Sequence, residues 1–177
     1  MNNWHILTEC YIDTLLAEVL SPPKKGYNHQ YSCTKVLATM KKNFQNDATL
    51  GIIDDDKHIP KDLENFCLLK KHNEQLSIYK HKVFPHYVVK IGKAPEDFIL
   101  KNAEKCSVSM ADYNLPNNLP DLIKLTKSIT VKNDPNLKRL FSVLKQNENS
   151  DFYKLPEWIE LFKANPYDFR ASIKTDR

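Results

Sequence analysis

No apolar run in the chain approaches the length of a membrane span, so no membrane-spanning helix is expected. Met1 to His5 carry neither the basic stretch nor the apolar stretch of a secretory leader, and the expectation is a cytoplasmic protein. Cysteine is sparse and scattered. Cys10, Cys33, Cys67 and Cys106 form no C-x-x-C pair, which argues against a zinc ribbon or a disulfide framework and for reduced, mostly buried thiols. His29 and Cys33 could share a helix face, but two ligands do not make a zinc site. Glycine is scarce, with only Gly26, Gly51 and Gly92. There is no internal repeat and no low-complexity tract. What is present is a chain of 177 residues, 41% hydrophobic, enough to build the core of one domain.

The charge is uneven. Residues 1–56 hold 5 Lys/Arg against 7 Asp/Glu, and residues 57–177 hold 21 against 15. The acids lie early and the basic surplus late. A basic surface beside an acidic site suits a phosphate-bearing polymer, and solvated lysine-rich helices would give the same count.

The stretch from Leu50 to His58 organises the chain. A short apolar run ends in Asp54, Asp55 and Asp56. A run of this length reads as a buried strand, so the acids sit where it leaves the core. Three adjacent like charges repel, and a hard divalent cation with oxygen ligands removes that cost. Side chains alternate along an extended chain, which lets Asp54 and Asp56 face one side. The reading is an Asp-x-Asp metal site at the end of a central strand; a solvated acidic loop is the alternative.

Upstream, Trp4 to Thr8 reads as a first strand, followed by Glu9. Ile12, Leu15, Leu16, Val19 and Leu20 then follow helical spacing, and Ser21-Pro22-Pro23 ends that helix. Glu9 therefore lies at a strand-to-helix junction, and Asp13 near the first turn, where the helix dipole also favours a carboxylate. Lys24 to Tyr31 reads as a polar loop, and Ser32 as the cap of a second helix with Val36, Met40 and Phe44 inward. Strand, helix, helix, strand favours a crossover and a parallel pair. Sites in such sheets gather outside the carboxyl ends of the strands, so Glu9 and Asp54 can meet at one edge.

Downstream, Pro60 opens a short helix through Asn65. Phe66 to Lys71 and Leu76 to Lys80 suit a hairpin, although Phe66 to Leu69 would serve a helix equally well. His86 to Ile91 is a β-branched and aromatic strand, broken at Gly92-Lys93. Pro95 begins a helix whose first turn holds Glu96 and Asp97. From Ser107 the character changes. Asn114 to Asp121 reads as connection, Asp134-Pro135 as a cap and first turn, and Leu137, Leu140, Phe141 and Leu144 as a helix stripe. Pro156 to Phe162 is a last amphipathic helix, and residues after Tyr167 read as frayed.

Taken together, Glu9, Asp54 and Asp56 resemble the signature of the Toprim family, which includes bacterial primases, type IA and II topoisomerases and the overcoming-lysogenization-defect type nucleases. The stretch Glu9-Cys-Tyr-Ile-Asp13 is similar to the primase form Glu-Gly-Tyr-hydrophobic-Asp. Ala94-Pro-Glu-Asp-Phe98 is similar to the acidic helix start of the nuclease branch. Cys10 stands where the family has Gly, and Lys57-His58 replaces its Gly-containing turn. The resemblance implies an α/β, Toprim-like fold: a mainly parallel central sheet with flanking helices over residues 1–106. A helical C-terminal extension, 107–177, would pack on the same domain.

The resemblance also implies phosphodiester chemistry with Mg²⁺ or Mn²⁺ on DNA or RNA. Asp54 and Asp56 would hold the metal and Glu96 would support a second. Glu9 would be a metal ligand or the general acid–base, with Asp13 orienting its neighbours. Lys57 or Lys93 would hold the scissile phosphate, and His58 is a candidate proton shuttle. Small Toprim proteins of defence or mobile-element systems act with a companion protein. A Toprim-like module that binds without cleaving is the alternative, and an unrelated α/β protein with surface acids is a third reading.

Overall fold

The computed structural model describes residues 5–54 and 60–175. The sequence-predicted strands and helices around the acids form as expected. Strand β1 (Ile6–Thr8) leads into α1 (Tyr11–Leu20), and β2 (Asn28–His29) into α2 (Cys33–Asn43). Next come β3 (Thr49–Asp54), the hairpin β4 (Phe66–Lys71) and β5 (Leu76–His81), and β6 (His86–Ile91). These strands make one six-stranded sheet in the order β2-β1-β3-β6-β5-β4. The pairs β1–β2, β1–β3 and β3–β6 are parallel, whereas β5 runs antiparallel to β6 and β4 to β5. The sheet is thus mostly parallel, and β1 and β3 are adjacent.

Strand alternation sorts side chains onto two faces. Ile6, Leu50, Ile52, Tyr87, Val89 and Ile91 enter the larger core with the apolar stripe of α1. Leu7, Ile53 and Val88 enter a smaller core with Val36, Leu37 and Met40 of α2. A strand buried on both faces needs a continuous apolar run, which is why Leu50 to Ile53 has no polar member. Ser32 caps α2 by accepting the Lys35 N–H at 3.2 Å.

Gly51 faces α2 and lets it approach. A Cβ there would lie 2.9 Å from Val36 Cγ1 and 3.3 Å from Met40 Sδ. Because Val36 is fully buried, it cannot move aside cheaply. Gly51→Ala is expected to lower stability by about 1 kcal/mol in urea unfolding, since overpacking a close-fitted core costs roughly this much. An unchanged midpoint would show that the α2 contact is looser.

The remaining helices cover the larger face. They are α3 (Pro95–Lys105), α4 (Leu119–Thr126), α5 (Pro135–Gln146), α6 (Lys154–Ala164) and α7 (Phe169–Thr175). Asp134 caps α5, accepting the Asn136 and Leu137 N–H groups at 2.8 and 3.0 Å. Leu122, Leu137, Phe141, Trp158 and Phe162 belong to the same core cluster as the sheet.

Four expectations are corrected. The segment read as connection up to Asp121 contains the start of α4, which begins at Leu119 after its cap Asn118. The polar loop of Lys24 to Tyr31 contains β2, held by parallel pairing to β1. The end read as frayed forms α7, because Phe169 and Ile173 are buried and the Phe169 ring meets Tyr87 at 4.9 Å. Cys67 is exposed and the other thiols are partly buried rather than mostly buried; no disulfide links the four. Trp4, proposed as part of the first strand, lies outside the described residues. Among the described residues no helix is long and apolar enough to cross a membrane.

Candidate metal centre

The strand order 2-1-3-6 reverses direction between β1 and β3. In open parallel sheets this switch point opens a crevice at the carboxyl ends of the strands. Glu9 and Asp54 stand at that place. The Glu9 N–H donates to the Ile52 carbonyl at 3.0 Å, which extends the β1–β3 ladder by one residue. In return the Asp54 N–H donates to Glu9 Oε2 at 3.2 Å. The Glu9 carboxylate is therefore held against the Asp54 backbone at the carboxyl end of the sheet.

Asp13 lies behind them, one turn into α1 and fully buried. Its Oδ2 accepts the Cys10 N–H at 3.1 Å and the Cys10 thiol at 2.9 Å. This is the reach-back half of a helix-start capping arrangement, which needs a carboxylate at the third helical position. Oδ1 of Asp13 is buried and has no hydrogen-bond partner among the described residues. Burial pushes the Asp13 carboxyl well above the usual carboxylate range, against the opposing pull of the Cys10 thiol bond. The charges of Asp54 and Glu9 push it further the same way. The Cys10 thiol is likewise raised by burial and by Asp13, so it stays protonated. The backbone at Cys10 is extended, with φ −125° and ψ 177°, so a residue other than Gly fits there without strain.

Across the crevice, α3 and α4 supply the far wall. A cleft of about 470 Å³ is lined by Cys10, Tyr11, Asp54, Lys93, Glu96 and Lys127, among others. Glu96, in the first turn of α3, is buried and accepts a hydrogen bond from the Thr126 hydroxyl. It thereby ties α3 to α4 while facing the same cleft as Asp54. Lys93 is exposed on the turn after β6. Asp56, Lys57 and His58 fall outside the described residues.

The donor set is all carboxylate oxygen, which fits a hard divalent cation and not a thiophilic one. The buried Asp13 Oδ1 behind Glu9 and Asp54 has no hydrogen-bond partner among the described residues, so protein groups leave this acid cluster incompletely satisfied. Among the described residues no group of three His, Cys, Asp or Glu side chains has the geometry to hold a metal ion.

The sequence reading missed several neighbours of the site. Thr126, Lys127 and Lys132 belong to the C-terminal half, and Tyr11, His29 and Tyr31 form a ring cluster beside the cleft.

Comparison with protein-family models, with curated proteins and with solved structures found no match to this chain.

Proposed function

We propose that this α/β protein carries out Mg²⁺- or Mn²⁺-dependent phosphodiester chemistry on nucleic acid, as a nuclease-like protein of the Toprim type. The observation that supports it is the Asp54 N–H donating to the Glu9 carboxylate at the switch point of the sheet. A cation bound there would supply Lewis-acid polarisation of a phosphoryl oxygen and lower the pKa of a water. Asp54 and Asp56 would hold it, and Glu96 would support a second. Glu9, crowded by Asp54 and Asp13, accepts and returns a proton at its carboxylate. Asp13 is a positioning residue, holding the start of α1 through Cys10. Lys93, with Lys57, holds the scissile phosphate as a point charge. Nucleic acid is the partner in this reading, together with a companion protein.

The test is cleavage of single- and double-stranded DNA and RNA with Mg²⁺ or Mn²⁺ against EDTA. Metal-dependent cleavage is expected, with no product in EDTA. Metal binding without cleavage of any substrate would favour a binding module that acts through its companion. Absence of both would remove the metal reading and leave a set of surface acids.

A further inference from the structure

Beside the acid cleft, on the β2 side, three rings form one cluster. Tyr11 is the first residue of α1, His29 the last of β2, and Tyr31 lies two residues beyond. The Tyr11 and His29 rings stack, with centroids 4.4 Å apart and planes at 10°. Tyr31 stands edge-on to both, 4.3 Å from His29 and 5.9 Å from Tyr11.

Two features of Tyr31 stand beside its contacts with His29 and Tyr11. Its side chain is 73% exposed, so the core gains little from it. Its φ is 71°, a left-handed conformation that is unfavourable for a bulky side chain and easy for Gly or Asn. A ring held in an unfavourable backbone and left in solvent is a feature that accompanies function more often than stability.

The surroundings are cationic. Lys132 Nζ lies 5.1 Å from the Tyr11 centroid, and Lys127 and Lys93 line the cleft that Tyr11 also lines. Tyr11 thus joins the ring cluster and Lys132 to the cleft that holds the acids and the other two lysines. Nucleic-acid strands are recognised by this combination: aromatic faces for the bases and lysines for the phosphates. In a duplex each base is already covered by its neighbours, so a projecting ring can stack only on an unpaired base.

We infer that Tyr31, with Tyr11 and His29, is a stacking platform for unpaired bases of a single strand, and that Lys132, Lys127 and Lys93 lead its phosphates to the acid cleft. The inference rests on the nucleic-acid reading above and narrows its substrate to single-stranded nucleic acid.

The probe is a labelled oligothymidylate of about 12 nucleotides, within the site sizes of single-strand binders. It is bound in EDTA so that the acid cleft takes no part, and a duplex of equal length serves as competitor. The single strand is expected to bind at least tenfold more tightly than the duplex. Tyr31→Asn, which removes the ring but suits the left-handed backbone, should weaken binding by about tenfold, the effect of losing one stacked base. Tyr31→Phe should retain binding, and Lys132→Ala should reduce the slope of log affinity against log salt by about one. Equal affinity for duplex, or unchanged binding by Tyr31→Asn with its melting temperature intact, would overturn the platform. Equal loss in Tyr31→Phe and Tyr31→Asn would also overturn it, because the hydroxyl rather than the ring would then be the ligand. Wild-type melting with and without Mg²⁺, in the absence of oligonucleotide, reads the acid site alone. The two proposals therefore fail separately.

Discussion

Replacing Glu9 by Gln and Asp54 by Asn together is expected to abolish both cleavage and any metal-induced rise in melting temperature, while the metal-free fold survives. The fold survives because each substitution keeps shape and keeps an acceptor. A Gln at position 9 still offers an oxygen to the Asp54 N–H, now made at 3.2 Å to Glu9 Oε2, and the Glu9 N–H bond to Ile52 is backbone only. Repulsion between Glu9 and Asp54 is also relieved, so the metal-free variant should be as stable as the wild type or more so. The loss appears only with metal. A cation at one hundred times its Kd stabilises the wild type by about 2.7 kcal/mol, since it binds the folded state alone. For a chain of this size that is a rise of roughly 5–10 °C. The variant should show no rise. Cleavage should fall by about two to four orders of magnitude, the usual worth of a positioned acid–base, and further as the metal is lost. A variant that keeps the full thermal shift would move the metal site away from the β1–β3 edge.

That edge was legible from sequence because two strong signals coincide there. The run from Leu50 to Ile53 reads as a buried strand, and the strand-helix-helix-strand order favours parallel pairing with the strand ending at Thr8. Glu9 and Asp54, 45 residues apart, were thus brought together by topology before any contact was known. The elements that escaped have weak local signals. Helix α4 opens with Asn, Pro and Asp, which suit a helix start and a loop equally, and only Leu122 and Thr126 of it are buried. Helix α7 has two anchors, Phe169 and Ile173, whose meaning depends on Tyr87 and Phe162 standing opposite. Strand β2 is two residues long and exists through its partner β1. The Tyr11–His29–Tyr31 cluster joins residues 18 and 20 positions apart through that same short pairing, so no spacing rule could announce it. Thr126 and Lys127 reach the cleft, and Lys132 the Tyr11 ring, from the part of the chain read as an extension, where charge alone gave no address.

Asp13→Asn in EDTA is expected to stabilise the protein at pH 8 and to have much less effect at pH 4. The folded-state carboxyl titrates well above its ordinary value, first because it is wholly buried and then because Asp54 and Glu9 are negative. Between the ordinary carboxylate range and that raised value, the folded chain keeps a proton that the unfolded chain releases. The folded state therefore binds more protons, and stability from this group falls as pH rises through the window. Below it both states are protonated and the group contributes nothing. Asn removes the titration. Its carbonyl can accept the Cys10 N–H as Asp13 Oδ2 does at 3.1 Å, so the start of α1 is kept. Its amide occupies the position of Oδ1, which has no partner among the described residues, and can donate towards the neighbouring carboxylates. The gain at pH 8 should be on the order of 1–3 kcal/mol, the cost of a buried polar group left unsatisfied or charged. Urea unfolding of both proteins at the two pH values measures it. An equal gain at both, or a loss at pH 8, would mean that Asp13 is not the group whose proton the folded acid cluster retains.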